Sequence, residues 1–458
     1  MRAVFSDSQD LHEFVEAYSE AHPDDVLTIA DRVSPVEDIS AIIEELAARG
    51  RDELLHLTNV DGLGVPVVTN MFASRRRIGR LLGCEVEQLH STFDRLAHQP
   101  LKPREVASGS VLSHVVEGDD VDLASLPLLT HFASDRAPYV TSGVVIVEDP
   151  ATGAGNMSYH RAMMHSSTSL ATSLHSRGHL WRRQEEATER GENLPFAMVL
   201  GGHPLFMLAA AARVPAEVDE RDVAGGLMGA PLEVVRTPRY GIRVPASSDY
   251  VLEGVIEAGV EVEEGPFGEF TGYSSDRSTH TLAGIDTMMR REDPILCDVA
   301  AGNSAEHLNL SRVPRESEMS EKLKARFPAV TAVHYPNSGT HFHCYVSLRQ
   351  RRPGEARQVM LGLLGWDPYL KTVIAVDDDV DITDDQDVLW ALATRFQPAQ
   401  DLFVVDGFPG SPLDPSSSSV GTTSRLALDA TRGPGFEGTR IALSAPALDR
   451  AREIVARL

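Results

Sequence analysis

The middle of the chain, between residues 139 and 300, consists of short β-rich runs that glycine and proline separate. The runs are YVTSGVVIVEDP, FAMVLGG, PLEVVRTP, GIRVPA and PILCDVA. Runs rich in valine and isoleucine and closed by turn residues favour strands, and a series of them favours a barrel-like or sandwich-like sheet. One long stretch, SLATSLHSRGHLWRRQEEATERG, interrupts the series and is predicted to be helical. The centre of the chain is therefore predicted to be a β domain.

The segment VSPVEDISAIIEELAARG, before this centre, carries the start and stop signals of a helix. Ser34 is the predicted N-cap, Glu37 completes a capping box, and Gly50 marks the end. The predicted buried stripe, at helical spacing, consists of Ile39, Ile42, Ile43 and Leu46. The following LLHLTNVDGLGVPVVTNMF predicts a strand, a turn and a second strand. Residues 1–104 are therefore predicted to form a small α/β domain.

Beyond residue 301, predicted helices and strands alternate. The strands AVTAVHYP, HFHCYVSL and KTVIAVDDDVDI surround the helices GEARQVMLGLLG and DQDVLWALATRF. This order predicts a second α/β domain over residues 301–458, and residues 105–300 remain as the central domain after the linker-like LKPREVASGS. The low-complexity residues 410–424 fit either a surface connection or a lid.

Composition and charge narrow the functional classes. The chain has 458 residues, 42% of them hydrophobic, and a formal net charge of −25. An acidic surface repels phosphates, so a nucleic-acid partner is not expected. No apolar run approaches the ~20 residues of a membrane span. The N-terminus shows no apolar signal core, so a cytoplasmic protein without membrane contact is expected. The cysteines form no C-x-x-C pair and are predicted to be small buried residues: Cys84, Cys297 and Cys344.

The segment EVEEGPFGEFTGYSS places Glu264 and Glu269 on either side of Gly-Pro-Phe-Gly. Proline lacks the N–H that a helix or a strand ladder needs, and glycine adopts backbone angles that other residues avoid, so this segment is predicted to be a shaped loop. Two carboxylates on such a loop fit proton-transfer chemistry in a pocket. A solvated acidic turn fits the same residues.

The segment GNMSYHRAMMH is predicted to be a strand or its exit. Alternation would place Asn156, Ser158 and His160 on one face and Tyr159 and Arg161 on the other. A buried arginine needs an anionic partner, and the two glutamates of the shaped loop are candidates. An exposed arginine with a buried stem is the alternative.

Three further clusters are weaker metal candidates. His175 and His179 have helical i, i+4 spacing but lack the glutamate of an H-E-x-x-H motif. Asp219 and Glu220 precede a glycine-rich turn and could supply oxygen ligands, or could be a solvated turn. The acidic AVDDDVDITDD fits a Mg²⁺ site, a solvated face or helix caps. We find no phosphate-binding P-loop, dinucleotide fingerprint or serine nucleophile elbow in the sequence.

Several of these segments occur together in the order and spacing of one family. They are N-M-S-Y-H-R, His179, Glu220 before AGGLMGAPLEVV, VPASSDYVLEG, EGPFGEFTGY and IAVDDDVDITDDQDVLWALATR. With the ending LALDATRGPG, essentially the whole chain resembles the UbiD-like family of prenylated-FMN-dependent decarboxylases. EGPFGEFTGY combined with an upstream N-x-x-x-x-R is the most specific part of the resemblance.

The resemblance implies a mixed α/β (α+β) fold of three parts. These are an N-terminal α/β domain, a central split β-barrel domain that binds the flavin, and a C-terminal α/β domain used in oligomerisation. It also implies prenylated FMN made by a separate flavin prenyltransferase, a divalent ion, Mn²⁺ or Mg²⁺, and a nearby K⁺. A homodimer is the expected assembly, and a hexamer is the alternative.

Site residues follow from the resemblance by position. It implies a catalytic set of Arg161, Glu264 and Glu269, and a metal set of Asn156, His179 and Glu220 that bridges to the cofactor phosphate. Residues expected to shape the cofactor site are Ser158, Tyr159 and His160, together with Arg161. Residues expected to face the substrate are Phe270, Leu310 and Phe408. Lys371 is a candidate for the flavin phosphate, and Arg425 stands where relatives often have lysine.

The implied reaction is the reversible, non-oxidative decarboxylation of an aromatic, heteroaromatic or α,β-unsaturated acid. Glu269 fits the proton donor, and burial beside an apolar substrate is expected to raise its pKa, while Glu264 pairs with Arg161 and stays ionised. Two other functions fit parts of the pattern. One is a metal-dependent hydrolase that uses Asn156, His179 and Glu220 directly, and the other is a flavin-binding protein without turnover.

Overall fold

The computed structural model of the chain describes residues 8–149, 152–174, 178–275, 278–417, 421–433 and 435–457. Within these ranges, no helix combines the length and the apolar composition that crossing a lipid bilayer requires. The fold is mixed α/β, and its sheets divide the chain into N-terminal, central and C-terminal parts.

The N-terminal part packs helices on a small sheet. Its elements are α1 (Leu11–Ala21), β1 (Val26–Ile29), α2 (Asp38–Ala48), β2 (Leu54–Leu57), β3 (Val67–Thr69), α3 (Arg75–Leu82) and α4 (Leu89–Ala97). Strand β2 pairs in parallel with β1 and antiparallel with β3, so the predicted strand, turn and strand are confirmed.

Helix α2 begins later than its sequence predicts, at Asp38. Residue Glu37 precedes the helix with φ 66° and makes no side-chain cap, and Ser34 Oγ accepts from the N–H of Val36 instead. The predicted capping box is therefore wrong, because Glu37 donates its N–H to the carbonyl of Thr130 and this pairing keeps the preceding residues extended. The predicted end is confirmed, since Gly50 follows α2 with φ +69°. Within the predicted stripe, Ile42 is half-buried and the other three residues are buried.

The central part is rich in strands, as predicted. Its elements are β4 (Arg104–Glu105), β5 (His114–Glu117), β6 (Tyr139–Val140), β7 (Gly143–Glu148), β8 (Gly155–Tyr159), β9 (Ala162–Ser166), β10 (Ser169–Thr172), α5 (His179–Glu189), β11 (Leu194–Leu200), α6 (Pro204–Ala210), α7 (Glu220–Met228), β12 (Glu233–Arg236), β13 (Arg243–Pro245), β14 (Tyr250–Glu264), β15 (Ser278–Arg290) and β16 (Leu296–Cys297).

The large sheet of this part has the strand order β6-β9-β10-β15-β14-β11-β7-β8, with β5 on β15. Strands β8 and β9 lie near opposite ends of this order, yet only His160 and Arg161 connect them. A chain segment this short spans at most about 11 Å from the end of one strand to the start of the next. The sheet must therefore curl until its two ends approach each other, which gives the split barrel and places Arg161 at the junction.

Three sequence predictions for the central part need correction. The stretch predicted as one helix from Ser169 contains strand β10, which pairs with β9 and β15, and the helix begins only at His179. Strands β12 and β13 form a separate small sheet with β4. Strand β16 pairs with β3 and thus extends the N-terminal sheet. In each case at least one partner strand lies far away in sequence: β15 for β10, β4 for β12 and β3 for β16. Local pattern carries no signal for these pairings.

The C-terminal part confirms the predicted alternation. Its elements are α8 (Ala305–Arg326), β17 (Val330–His334), β18 (His343–Leu348), α9 (Glu355–Trp366), β19 (Thr372–Asp377), α10 (Asp385–Arg395), α11 (Pro398–Asp401), β20 (Leu402–Pro409), β21 (Thr422–Asp429) and α12 (Ala445–Val455). Its sheet has the order β17-β18-β19-β21-β20. The long helix α8, which contains Pro314, leads from the central part into this sheet and was not predicted.

Candidate active site

Arg161 joins the two glutamates of the shaped loop. Its Nε and Nη2 atoms donate to the two carboxylate oxygens of Glu264 at 3.0 and 2.9 Å, and its Nη1 donates to Glu269. The Glu264 side chain is fully buried, and those of Glu269 and Arg161 are 7% and 16% exposed. One guanidinium therefore holds two carboxylates in a fork geometry that only arginine provides.

The shaped loop follows directly from the end of β14. Glu264 is the last residue of that strand, and Gly265, with φ 82°, precedes a cis peptide bond to Pro266. The Glu269 N–H donates to the carbonyl of Tyr273 at 3.0 Å, which closes a tight turn around the carboxylate. These backbone contacts bring residues five positions apart to the same guanidinium, so the prediction of a shaped loop is confirmed.

Phe132 and Asp135 hold the same loop from outside. The N–H of Gly268 donates to Asp135 Oδ1 at 3.0 Å. A Cβ atom at Gly268 would lie 2.3 Å from the ring of Phe132, so only glycine lets the loop pack this closely. Burial raises the pKa of Asp135 although backbone N–H groups act against this. Local sequence gives no hint of either contact.

Aromatic and imidazole groups surround the buried pair. The Arg161 guanidinium lies 4.9 Å from the centre of the Phe267 ring, and His280 Nε2 lies 3.3 Å from Glu264 Oε2. Burial lowers the pKa of His280 although Glu264 acts in the opposite direction. Burial also raises the pKa of Tyr139, helped by the charge of Glu264. Sequence analysis did not identify Tyr139, Phe267 or His280.

Asn156 and Glu220 form a second buried polar pair, between β8 and the start of α7. Asn156 Nδ2 donates to Glu220 Oε1 at 3.1 Å, and the N–H of Met157 donates to Glu220 Oε2 at 2.8 Å. Burial raises the pKa of Glu220 to about 7. Asn156 Oδ1 is buried and accepts no hydrogen bond in the described part of the chain. A buried oxygen without a donor, next to a carboxylate, fits a bound hard cation.

His179 is the first residue of α5, and this helix packs against β8. Helix α7 also packs against β8. Strand β8 therefore contacts both of the helices that carry His179 and Glu220. The imidazole of His179 is half-buried, and burial lowers its pKa, which favours the neutral form that binds metals. His175, its partner in the i, i+4 prediction, lies outside the described residues.

The other residues of the N-M-S-Y-H-R segment point to different places. Ser158 Oγ lies 3.0 Å from His160 Nε2, and His160 Nδ1 lies 3.1 Å from the carbonyl of Ser173. Tyr159 instead donates its hydroxyl to the carbonyl of Met207 at 3.0 Å and packs against the hydrophobic core. Ser158 and His160 thus share a face with Asn156, and Tyr159 points away from them, as the alternation predicts.

The three predicted substrate-facing residues lie in three different environments. Phe270 lies beside Glu269, and its ring centre is 4.6 Å from that of His341, 5.6 Å from Phe342 and 6.3 Å from Tyr369. Leu310 lies in the largest hydrophobic core cluster. Phe408, on β20, packs on the guanidinium of Arg425 at 4.2 Å. The C-terminal rings against Phe270 had no signal in the sequence.

Lys371 and Arg425 make contacts within the C-terminal part. Lys371 Nζ lies 2.8 Å from Asp414 Oδ2 and 2.6 Å from Ser416 Oγ, and thereby fixes part of the 410–424 loop. Arg425 is buried and donates to the carbonyls of Leu364, Asp367 and Pro368. None of these contacts involves Arg161, Glu264 or Glu269.

The remaining acidic candidates have partners of their own. Asp219 caps α7 through the N–H of Arg221 and pairs with the Arg221 guanidinium. In the acidic segment before α10, Asp377 and Asp379 pair with Arg395, and Asp384 caps the helix. The contacts before α10 agree with the helix-cap interpretation of that segment, whereas the sequence did not predict that Asp219 caps α7.

Comparison with known proteins covers nearly the whole chain. Models of the 3-octaprenyl-4-hydroxybenzoate carboxy-lyase family match residues 20–96 (N-terminal domain), 104–304 (Rift-related domain) and 309–430 (C-terminal domain). Anhydromevalonate phosphate decarboxylase of Methanothermobacter thermautotrophicus is 32% identical over 409 residues, which are 89% of this chain and 94% of that protein.

Solved structures give the same result. The UbiD-class enzyme HmfF of Pelotomaculum thermopropionicum in complex with FMN is 30% identical, with a TM-score of 0.88 over 95% of this chain and 97% of that one. An evolved dimeric form of HmfF in complex with prenylated FMN is 28% identical, with a TM-score of 0.86 over 97% of this chain and 98% of that one. The 3,4-dihydroxybenzoic acid decarboxylase AroY of Klebsiella pneumoniae is 25% identical, with a TM-score of 0.88 over 97% and 99%. On the match of all three domain models and this shared fold, the chain belongs to the UbiD family of carboxy-lyases.

Proposed function

We propose that this protein is a prenylated-FMN-dependent enzyme that reversibly decarboxylates an aromatic, heteroaromatic or α,β-unsaturated carboxylic acid. The observation that carries the proposal is the contact of Arg161 with both Glu264 and Glu269 at the junction of the split barrel. A buried cation between two acids on a glycine-rich loop fits proton delivery. A flavin-binding protein without turnover would have no evident need for this arrangement of one arginine and two acids.

The two glutamates have different tasks in this proposal. Glu264 accepts from Arg161 with both carboxylate oxygens and is fully buried, so it fixes the guanidinium. Glu269 has one contact to Arg161 and lies beside Phe270, so it is the acid that delivers the proton to the carbon that has lost CO₂. Prenylated FMN, when bound, supplies the electron sink that makes this loss of CO₂ possible.

Asn156, Glu220 and His179 are the proposed ligands of a Mn²⁺ or Mg²⁺ ion that holds the flavin phosphate. Two oxygen groups support this assignment, because hard divalent cations prefer oxygen ligands: Asn156 Oδ1, which accepts no hydrogen bond from the residues that the structure describes, and the adjacent carboxylate of Glu220. Ser158 and His160, on the same face, are proposed to border the flavin. The potassium ion stays a prediction of the family resemblance.

The substrate is proposed to lie over Phe270, with the rings of His341, Phe342 and Tyr369 behind it. This group of rings favours a flat or extended unsaturated acid as the substrate. The relatives suggest two assay compounds that differ in charge: anhydromevalonate phosphate and 3,4-dihydroxybenzoic acid.

Two partners complete the proposal. A flavin prenyltransferase supplies the cofactor, and a second copy of the chain forms a homodimer through residues 301–458. Edge strand β20 supports the dimer, since Leu402 and Val404 on it are 40% and 57% exposed.

The decisive test uses protein co-expressed with a flavin prenyltransferase and purified without air. We expect mass spectrometry of the released small molecule to give the mass of prenylated FMN. We expect Glu269→Gln to lose at least about 100-fold in turnover, with its flavin content unchanged. Glu263→Gln, on the exposed side of the same segment, is the matched control. Full activity in Glu269→Gln would refute the role of Glu269. Turnover with metal and without flavin would favour the hydrolase.

A further inference from the structure

A cavity of about 770 Å³ lies between the N-terminal part and the large central sheet. It lies beside Tyr250 and Leu252, the start of β14, whereas Glu264 is the last residue of that fifteen-residue strand. Its lining includes neither the Arg161 cluster, which consists of Arg161, Glu264 and Glu269, nor the proposed metal ligands Asn156, His179 and Glu220. Its volume falls within the range of small-molecule sites, about 300–1,000 Å³.

The floor of the cavity is a patch of three paired strands. The register of β14 and β15 places Tyr250 opposite Arg290 and Leu252 opposite Met288. Strand β5 extends both pairs across β15, because its register places His114 opposite Arg290 and Val116 opposite Met288. Because residues i and i+2 share a face of a strand, the floor carries two parallel rows. The polar row is His114, Arg290 and Tyr250, and the apolar row is Val116, Met288 and Leu252.

The roof comes from the N-terminal part and combines apolar residues with His12, Glu16 and His56. Val15 of α1 and residues 63–66 cover the floor, and Ile295 closes one side. Between these groups, His56 of β2 adds an imidazole that makes no hydrogen bond within the described residues. Floor and roof together form an amphipathic cleft, and its lining also includes the carboxylates of Glu16, Glu292 and Asp293.

Some polar side chains of this cleft already have ion-pair or hydrogen-bond partners, and others do not. His114 lies 2.7 Å from Glu292, and His12 lies 2.8 Å from Asp249, so both imidazoles have carboxylate partners. Arg290 donates only to the backbone carbonyls of residues 291 and 292, and it has no carboxylate partner in the described chain.

The hydroxyl of Tyr250 makes no hydrogen bond to any described residue, although its side chain is buried. Arg290 and Tyr250 are direct cross-strand neighbours, so their side chains lie side by side on the cavity face of the sheet. A cation and a hydroxyl side by side, next to an apolar row, match a carboxylate that carries an apolar body.

We propose that this cavity is a second binding site, for a small amphipathic carboxylate. The carboxylate accepts hydrogen bonds from Arg290 and Tyr250, and the apolar body lies along Val116, Met288 and Leu252 under the N-terminal roof. This site needs neither the flavin nor the Arg161 cluster, so it stands or falls independently of the proposed decarboxylation.

Octanoate is the probe that tests the site, because it lacks the double bond that a decarboxylation substrate needs. Isothermal titration calorimetry of the holoenzyme is expected to show one octanoate site and much weaker binding of 1-octanol, which lacks the charge. Arg290→Gln is expected to weaken octanoate binding by about tenfold or more, because hydrogen bonds to charged groups are strong. Tyr250→Phe, which keeps the ring, is expected to weaken it several-fold.

Two controls locate the binding. Arg239→Gln removes an arginine on the exposed side of the same domain and should leave octanoate binding unchanged. Arg161→Gln should also leave it unchanged, because Arg161 belongs to the other site. No octanoate binding, binding that both cavity variants leave intact, or binding that only Arg161→Gln abolishes would each overturn the proposal. Self-association of the chain that Leu252→Trp prevents would do the same, since a second copy would then fill the cleft.

Discussion

The guanidinium of Arg161 donates two hydrogen bonds to the carboxylate of Glu264, from Nε to Oε1 at 3.0 Å and from Nη2 to Oε2 at 2.9 Å. This contact uses one edge of the guanidinium and leaves Nη1 for Glu269. The split barrel makes it possible, because the connection from β8 to β9 places Arg161 where the two ends of the sheet approach each other. The geometry therefore distinguishes Glu264, which is held by two hydrogen bonds from the guanidinium, from Glu269, which is held by one.

Replacing Arg161 with lysine tests whether the fork matters. A lysine keeps the charge but presents a single ammonium, which cannot hold both oxygens of Glu264 and also contact Glu269. We expect Arg161→Lys to lower kcat/KM by at least about 100-fold, since small displacements of reacting groups have effects of this size. Arg136→Lys is the matched control, because Arg136 pairs with Glu263 at the surface at 2.8 Å. Equal losses in both variants would contradict the argument.

Gly268→Ala tests the packing of the shaped loop. The added Cβ would lie 2.3 Å from the Phe132 ring, so the loop that carries Glu269 has to shift. We expect turnover to fall by about tenfold or more, with flavin binding retained. Gly365→Ala in α9 is the control, because nothing lies within 4 Å of its Cβ position. A second change, Phe132→Ala, removes the clash and should restore part of the activity; a double variant no better than Gly268→Ala would argue against this packing.

Local pattern and motif resemblance predicted most of the site. The turn residues around Pro266 indicated a loop, alternation placed Asn156 on a face opposite Tyr159, and the combined motifs named Arg161, Glu264 and Glu269 together. Each of these signals lies within a short stretch of chain or in the spacing of a few stretches. The fold class and the strand-rich centre followed in the same way from composition and turns.

Contacts between distant segments could not be predicted in this way. The start of α2 depends on Thr130, the conversion of Ser169–Thr172 into a strand depends on β15, and the space beside Gly268 depends on Phe132. The two-row floor of the cavity likewise exists only through the register of β5, β14 and β15. A single sequence does not encode such pairings in any local spacing.

Glu220→Gln tests the proposed metal site. The amide keeps the shape of the side chain but removes the negative charge that a divalent cation needs beside Asn156. We expect the purified variant to hold at least about tenfold less Mn²⁺ by elemental analysis, and to lose flavin with it. Treating the wild type with a chelator should release flavin in the same way. Asp222→Asn, on the same helix α7, is the control, and a metal content equal to wild type in Glu220→Gln would exclude Glu220 as a ligand.

Asp25 gives a prediction about acid stability. It accepts hydrogen bonds from Tyr18 at 2.6 Å, Arg77 at 2.8 Å and Arg80 at 2.7 Å, and the Arg77 side chain is fully buried. Burial alone would raise the pKa of Asp25, but Arg77, Tyr18 and Arg80 hold it below its ordinary value. An acid whose pKa is lower in the folded state stabilises the fold above its ordinary pKa of about 4, and this contribution is lost as the pH falls further.

Asp25→Asn should therefore lower the free energy of unfolding at pH 7 by about 3 kcal/mol, because it leaves a buried guanidinium without its charge partner. Urea unfolding of wild type and variant at pH 7, 5, 4 and 3 measures this difference. We expect it to stay constant between pH 7 and 5 and to shrink below pH 4, where wild-type Asp25 takes up its own proton. Asp24→Asn, at an exposed neighbouring position, should show no such difference. A gap between wild type and Asp25→Asn that is as large at pH 3 as at pH 7 would mean that the loss comes from packing and not from charge.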